Sequence, residues 1–351
     1  MKHLRHTIIR AGLGAMSLTG AHHLLRPMLA GIGTIIMLHH VRPRRADAFQ
    51  PNHHLEITPE FLRATLQHLR SEGVDLVGMD EMAARLASGD TTRRFAAITC
   101  DDGYRDNRDH ALPVLRAFAA PVTVYVASDF ADGRGRLWWV TLERIIAKAN
   151  TIEVAMSGTT TRLECATLEA KQAAFDRLHD WLRGMPDANV RREVAALCAR
   201  HGIDDDAISR ELCMDWDELR GFAADPLVTI GAHTISHCNL AKQTDLAASD
   251  EMRLSRERIE HALQKPALHL AYPYGDKAAA GAREFALART LGFKTAVTTR
   301  PGMIFAENAA HMTALPRLSL NGNYQDTRFL PVLTSGAATA MYNGFRRVDA
   351  A

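Results

Sequence analysis

Short apolar runs rich in β-branched residues recur along the chain, and several give way to polar residues at their C-terminal ends. Residues 34–38 (Thr-Ile-Ile-Met-Leu) lead into His39-His40, and residues 95–99 (Phe-Ala-Ala-Ile-Thr) lead into Cys100-Asp101-Asp102-Gly103. Similar runs lie at 121–127, 227–232, 269–272 and 294–298. Runs of this length without polar alternation predict strands buried on both faces. Between them the spacing changes. Phe61, Leu62, Leu66 and Leu69 follow Thr58-Pro59, where Thr58 can cap a helix and Pro59 suits its first turn. Residues 80–86 and 107–118 predict two more helices, and 75–77 a short strand. Strand, helix and strand in alternation predict parallel units in a barrel-like α/β fold, with its site at the C-terminal face of the strands.

Residues from about 138 to 222 break this rhythm. They are rich in Ala, Leu, Arg and Glu, with helical periodicity at 168–182 and 190–198, and predict a helical insertion within a domain spanning 34–330. Residues 1–33 read as an N-terminal helical extension and 331–351 as a tail. The stretch 8–21 is apolar and rich in small residues after Lys2 and Arg5, and Arg10 interrupts it. It is too short to span a bilayer and has no small-x-small cleavage site, so it predicts an amphipathic helix that packs on the protein or touches a membrane surface.

Composition narrows the class only a little. Hydrophobic residues form 47% and charged residues 23% of the 351, enough for a large buried core. The net charge of +2 and the absence of long basic runs give no nucleic-acid partner. Five cysteines with no Cys-x-x-Cys pair argue against a disulfide framework or a cysteine zinc cage and lead us to expect a cytoplasmic protein.

Three clusters carry chemistry. Asp101 and Asp102 leave a buried strand side by side, which is costly unless a cation compensates them; a solvated Asp-Asp-Gly turn is the bland alternative. His233 and His237, at i and i+4, would share one face of a helical turn and present two imidazoles to one divalent ion. Together the clusters supply one carboxylate and two imidazoles, the protein ligand count of an open catalytic metal site, and leave a spare carboxylate beside it. The third, Tyr272-Pro273-Tyr274-Gly275, reads as a rigid turn able to aim backbone N–H groups at an oxyanion. Trp138-Trp139 reads either as a sugar-stacking pair or as core.

With these residues in hand, the chain resembles the polysaccharide deacetylases of carbohydrate esterase family 4, the NodB homology group. Thr99-Cys100-Asp101-Asp102-Gly103 is similar to the family's Thr-Phe-Asp-Asp-Gly motif, with Cys100 for phenylalanine. His233-Thr234-Ile235-Ser236-His237 matches its His-Ser/Thr-x-x-His motif, and Ala271-Tyr272-Pro273-Tyr274 resembles its Arg-x-Pro-Tyr motif with Ala271 for arginine. Leu38-His39-His40 resembles the Tyr-His segment that opens many members. The resemblance implies a distorted (β/α) barrel of the NodB type with a helical insertion. It implies Asp101 as general base, Asp102, His233 and His237 as ligands of a divalent metal, usually Zn2+, and the Tyr274 N–H as an oxyanion donor. The family's closing motif carries a histidine, and here Leu315-Pro316-Arg317-Leu318-Ser319 has none. The acid then has to come from His39, His40 or His311, and His40 is the candidate taken.

The activity implied is removal of N-acetyl groups from a GlcNAc-containing polysaccharide or oligosaccharide. Two other readings fit the same residues: a non-catalytic carbohydrate-binding protein that retains the metal site, and a metal amidase acting on a non-sugar substrate.

Overall fold

The computed structural model describes residues 2–156 and 158–350, with side chains described from residue 6 onward. Its strands are β1 (Gly33–Leu38), β2 (His40–Val41), β3 (Glu56–Ile57), β4 (Asp75–Val77), β5 (Phe95–Cys100), β6 (Val122–Val126), β7 (Thr151–Met156), β8 (Thr159–Glu164), β9 (Val228–Ala232), β10 (His269–Ala271), β11 (Thr295–Pro301) and β12 (Leu315–Ser319). Seven close a parallel barrel in the order β1-β12-β11-β10-β9-β6-β5, with β5 pairing back to β1. β4 stays outside the ring. It pairs with the first half of β5, at Phe95–Ala97, while β6 takes the second half from Ile98 to Cys100. The distortion is local: β10 has three residues and meets β9 through a single register pair, Leu270 and Ala232.

Alternation along the strands sorts side chains into two layers. Ile36, Leu38, Ala96, Ile98, Cys100, Val122 and Val124 pack outward, in one core with helices such as Pro59–Ser71 and Asp245–Leu263. Ile35, Ala97, Tyr125, Ala271, Val297 and Leu315 form a separate cluster that fills the barrel. Cys100 therefore lies on the helix-facing side, fully buried and away from the barrel axis, so its replacement of an aromatic residue alters packing and not the site. Gly231 is required where β9 passes Tyr125: a Cβ there would lie 2.8 Å from the His269 carbonyl oxygen and 2.6 Å from the tyrosine ring.

Thr58 caps the first barrel-layer helix as its sequence predicts, accepting from the Phe61 N–H at 3.2 Å. The segment between β6 and β9 is mostly helical, with helices Trp138–Lys148, Leu168–Gly184, Asp187–His201, Asp205–Leu212 and Trp216–Phe222. It also holds the β7–β8 hairpin, which the helical reading missed. Ile152, Val154 and the threonines at 159–161 supply β-branched residues that favour strands, and Gly158 has a positive φ of 82° at the turn. The hairpin and helices form their own apolar cluster, which includes Trp138 and Trp139.

Candidate active site

Asp101 is the residue after β5 and continues its inward parity, so its carboxylate enters the barrel mouth rather than solvent. It meets Arg317 of β12 in a two-pronged pair, with the guanidinium donating to both carboxylate oxygens at 2.7 Å. Both groups are sealed: Asp101 is 2% and Arg317 1% exposed. Arg317 also donates to the Thr298 carbonyl at 2.8 Å, which fixes the plane of its fork. Burial acts to raise the Asp101 pKa, but the charge and hydrogen bonds of Arg317 outweigh it and hold the carboxyl well below the usual range.

Ala271 stands where the Arg-x-Pro-Tyr motif has its arginine, so that position offers the Asp101 carboxylate no cationic partner. The structure supplies that partner from a different strand. Arg317 stands two residues from Leu315, which fills the barrel, so the period-two pattern of β12 was the available signal.

Asp102 turns the other way. Its φ of 73° and that of Gly103, 68°, reverse the chain immediately after the strand. Its Oδ1 lies 3.3 Å from Nε2 of His237 and 3.6 Å from Nε2 of His233. That oxygen is buried without a hydrogen-bond partner. Burial and, after it, repulsion from Asp101 push the Asp102 carboxyl up to about 8, while burial lowers both imidazoles. Nδ1 of His233 is 2.7 Å from the Ala271 carbonyl, a contact that donates the ring proton there and leaves the Nε2 lone pair free. An orphaned carboxylate oxygen facing two neutral imidazoles, with candidate ligand atoms all within 4.8 Å, is a donor set that fits a divalent cation.

The two histidines do not meet on a helical turn, as their spacing predicts. Thr234 and His237 have positive φ values of 64° and 55°, and the loop, not a helix, folds His237 back toward His233. Four of the seven described non-glycine residues with positive φ are Asp102, Thr234, His237 and Tyr274, so backbone strain concentrates at this site. Glu251, from the helix Asp245–Leu263, holds the loop by accepting from the N–H groups of Ile235 at 2.8 Å and Ser236 at 3.0 Å, and from the Ser236 hydroxyl at 2.7 Å. Replacing Glu251 with alanine is expected to weaken cation affinity by about 10–100-fold with the ligands untouched, because the clamp and not the donor set is lost. Competition with a fluorescent zinc chelator measures this, and unchanged affinity would show that the loop holds itself.

Tyr274 sits opposite. Its hydroxyl accepts from the Trp138 indole at 3.0 Å, its ring centre lies 5.2 Å from that of His237, and its carbonyl accepts from the Thr299 hydroxyl. Trp139 and Phe130 pack on His237 from the other sides, with ring centres at 5.0 and 5.7 Å. Trp138 and Trp139 are thus core and cleft wall at once.

The histidines that follow β1 separate by parity. His39 continues the inward row and lies 3.9 Å from Asp101 through Nε2. His40 points outward: its Nδ1 is 2.6 Å from Asp106, and its ring stacks on Tyr104 at 3.6 Å. His40 is not among the residues lining the cleft, and neither is His311, which follows β11 on the segment Ala306–His311. Burial lowers His39 to about 3, so it rests neutral.

These groups open into one cleft of about 360 Å³, lined by His39, Asp101, Asp102, His233, His237 and Tyr274. Trp138, Trp139 and Arg183 from the insertion and Asn321 and Asn323 beyond β12 complete its walls. A larger hollow of about 520 Å³ beside Arg42, Arg45 and Glu56 contains none of the clustered residues, and those arginines are paired, Arg42 with Glu56 and Arg45 with Glu56 and Glu143.

Comparison with known proteins places this geometry. A model described as polysaccharide deacetylase matches residues 88–296. The fold is similar to that of the Streptococcus pyogenes deacetylase PplD in complex with acetate, at 16% identity and a TM-score of 0.54 over 83% of this chain and 92% of that one. It is also similar to IcaB from Ammonifex degensii, at 16% identity and a TM-score of 0.53 over 86% of this chain and 97% of that one. No curated protein sequence matches the chain. The match spans more than half of the chain and includes Asp101, Asp102, His233, His237 and Tyr274, although it stops short of Arg317. The chain therefore belongs to the polysaccharide deacetylase family.

Proposed function

We propose that the protein is a divalent-metal-dependent hydrolase that removes N-acetyl groups from a GlcNAc-containing glycan. The observation that carries the reading is the convergence of Asp101 with Asp102, His233 and His237 in one cleft at the C-terminal ends of the strands. Asp102, His233 and His237 would hold the cation, most simply Zn2+ given one carboxylate and two imidazoles. When bound, such an ion supplies Lewis acidity toward an acetyl carbonyl and toward water.

The chain's own groups account for the rest. Asp101, kept ionised by Arg317, accepts the proton of the attacking water. The Tyr274 N–H is assigned to the carbonyl oxygen as charge develops there. We assign the acid to His39 in place of His40, because His39 lines the cleft and lies within 3.9 Å of Asp101. His39 rests neutral, so it takes up the proton that Asp101 has accepted and passes it to the leaving amine. The amide C–N bond breaks, giving acetate and a free amine. The Streptococcus pyogenes neighbour is described in complex with acetate, the product such a reaction releases.

Acetate release from a panel of N-acetylated glycan oligomers tests the reading. Release that a chelator suppresses is expected. Glycan binding without release would favour the non-catalytic carbohydrate-binding alternative, and release only from acetylated non-sugar amides would favour an amidase.

Cation binding should also carry a proton signature. The Asp102 carboxyl, pushed up to about 8 in the cation-free site, must lose its proton on binding. Below about pH 8 each cation bound should release about one proton, and apparent affinity should weaken about tenfold per pH unit of acidification. Calorimetry in two buffers of different ionisation enthalpy, at about pH 6.5 and about pH 9, reads the difference. Equal proton release at both would contradict it.

A further inference from the structure

We propose that the two chain ends together form a surface that binds anionic lipid bilayers, centred on the end of the barrel where β1 begins. The helices α1 (Lys2–Thr19) and α2 (Ala21–Leu29) meet at Gly20, whose φ is 68°, and α2 packs against the C-terminal helix Ala337–Tyr342. Gly336, which opens that helix, lies so close to the Leu29 carbonyl that a Cβ there would come within 2.0 Å of its oxygen. The two termini therefore form one structural unit.

Its outer face is apolar to an unusual degree. Of the nine large hydrophobic side chains exposed among the described residues, seven are Ile8, Leu18, Leu24, Met28, Met341, Tyr342 and Phe345. Leu18 and Leu24 are 89% and 82% exposed, values unexpected for side chains with no partner to cover them. The inward side of α1, by contrast, is fixed to the barrel: Leu13 is buried, Arg10 lies over the Phe329 ring at 5.9 Å, and the Ser17 hydroxyl donates to the Arg328 carbonyl. The exposed apolar side chains are thus not a detached helix in search of a core.

Charge selects the occupant. No described side chain of α1 or α2 is acidic, Arg10 and Arg26 are basic, and Arg346 and Arg347 stand in a stretch without carboxylates from 327 to 348. Arg26 and Arg347 are met by Glu72 and Glu307, while Arg346 is exposed. A second copy of the same face would bring like charges together, whereas an anionic headgroup layer complements them. No described helix is long and apolar enough to cross a membrane, so the contact is interfacial.

The placement orients the enzyme. α2 ends at Leu29 and β1 begins at Gly33, so α2 sits at the N-terminal end of the strands. Asp101 and its partners follow the C-terminal ends. A bilayer docked on α2 and the C-terminal helix meets the barrel away from the cleft, while α1 runs back along the barrel side to His6, whose ring lies 3.0 Å from the Tyr324 hydroxyl next to the cleft-lining Asn323.

The test is co-sedimentation of the full chain with vesicles of phosphatidylglycerol and phosphatidylethanolamine, against vesicles of phosphatidylcholine alone. Binding to the anionic vesicles is expected, with loss toward about 1 M NaCl, where screening shortens electrostatic reach to roughly 3 Å. The variant Leu24→Glu/Met28→Glu should pellet about tenfold less while keeping its circular dichroism and thermal transition. Arg346→Glu should weaken binding without touching the apolar side chains. Failure to sediment with anionic vesicles overturns the proposal. So does a dimer in light scattering that Leu24→Glu/Met28→Glu converts to monomer without vesicle binding, because it would assign the face to a second copy. The outcome is separate from acetate release, so either reading can fail without the other.

Discussion

Replacing Asp101 with asparagine is expected to reduce acetate release by about 10²–10⁴-fold while cation content stays at the wild-type level, the range general base catalysis supplies. Asparagine keeps the shape and one oxygen that can accept from Arg317, so the fork has somewhere to rest. It cannot take a proton. The cation donors Asp102, His233 and His237 are left as they were, and Asp102 loses the neighbouring negative charge that raises its own pKa. Metal content by mass spectrometry and acetate release on the same preparation separate the two effects. Substantial activity in this variant would remove Asp101 from the role of base, and loss of the metal together with activity would make it a structural or ligand residue instead.

Replacing Arg317 with leucine should cost about 3–5 kcal/mol of stability, the usual consequence of leaving one partner of a buried ion pair unmatched. The pH dependence distinguishes this from a simple packing defect. In the wild type, Asp101 titrates below its unfolded value of about 4, so the pair stabilises the fold above that pH and the contribution fades as pH falls through the lower folded value. Without Arg317, burial dominates and raises Asp101, so the variant becomes progressively less stable as pH rises above about 4. Its acid limb in a pH–rate profile should move to higher pH for the same reason. Arg317→Lys keeps a charge but not the two-pronged geometry, and should recover stability more than it recovers the alkaline shift of that limb. Urea unfolding at several pH values measures the first effect. A variant as stable as wild type across that range would mean that the Asp101–Arg317 pair contributes nothing net.

The parts of this site that were legible in the sequence are those whose residues are adjacent. Asp101-Asp102 and His233-x-x-x-His237 stand at the ends of apolar runs, and the runs themselves mark the strands that carry them. The barrel follows from the same pattern, since uninterrupted apolar strands alternating with helices have few other parallel arrangements. What escaped depended on contacts between distant segments. Arg317 was read as a residue in a motif that lacked its histidine, although Leu315 and Ser319 flank it at period two and place it on the barrel's inner row. The same counting, carried one step past Met37, puts His39 inward and His40 outward. Glu251 carried no local signal, because its role is to accept from N–H groups about sixteen residues upstream. The histidine loop was misread for a related reason: spacing of i and i+4 fits a helix, but left-handed Thr234 and His237 reach the same juxtaposition without one.

The central claim is that one divalent cation is held by Asp102, His233 and His237 with Asp101 beside it, and anomalous diffraction at the zinc edge tests it most directly. Crystals grown with equimolar zinc should give a single strong peak about 2.0–2.2 Å from Oδ1 of Asp102 and from Nε2 of both histidines. A peak elsewhere, or none at this triad in crystals that bind zinc at other positions, would contradict the account.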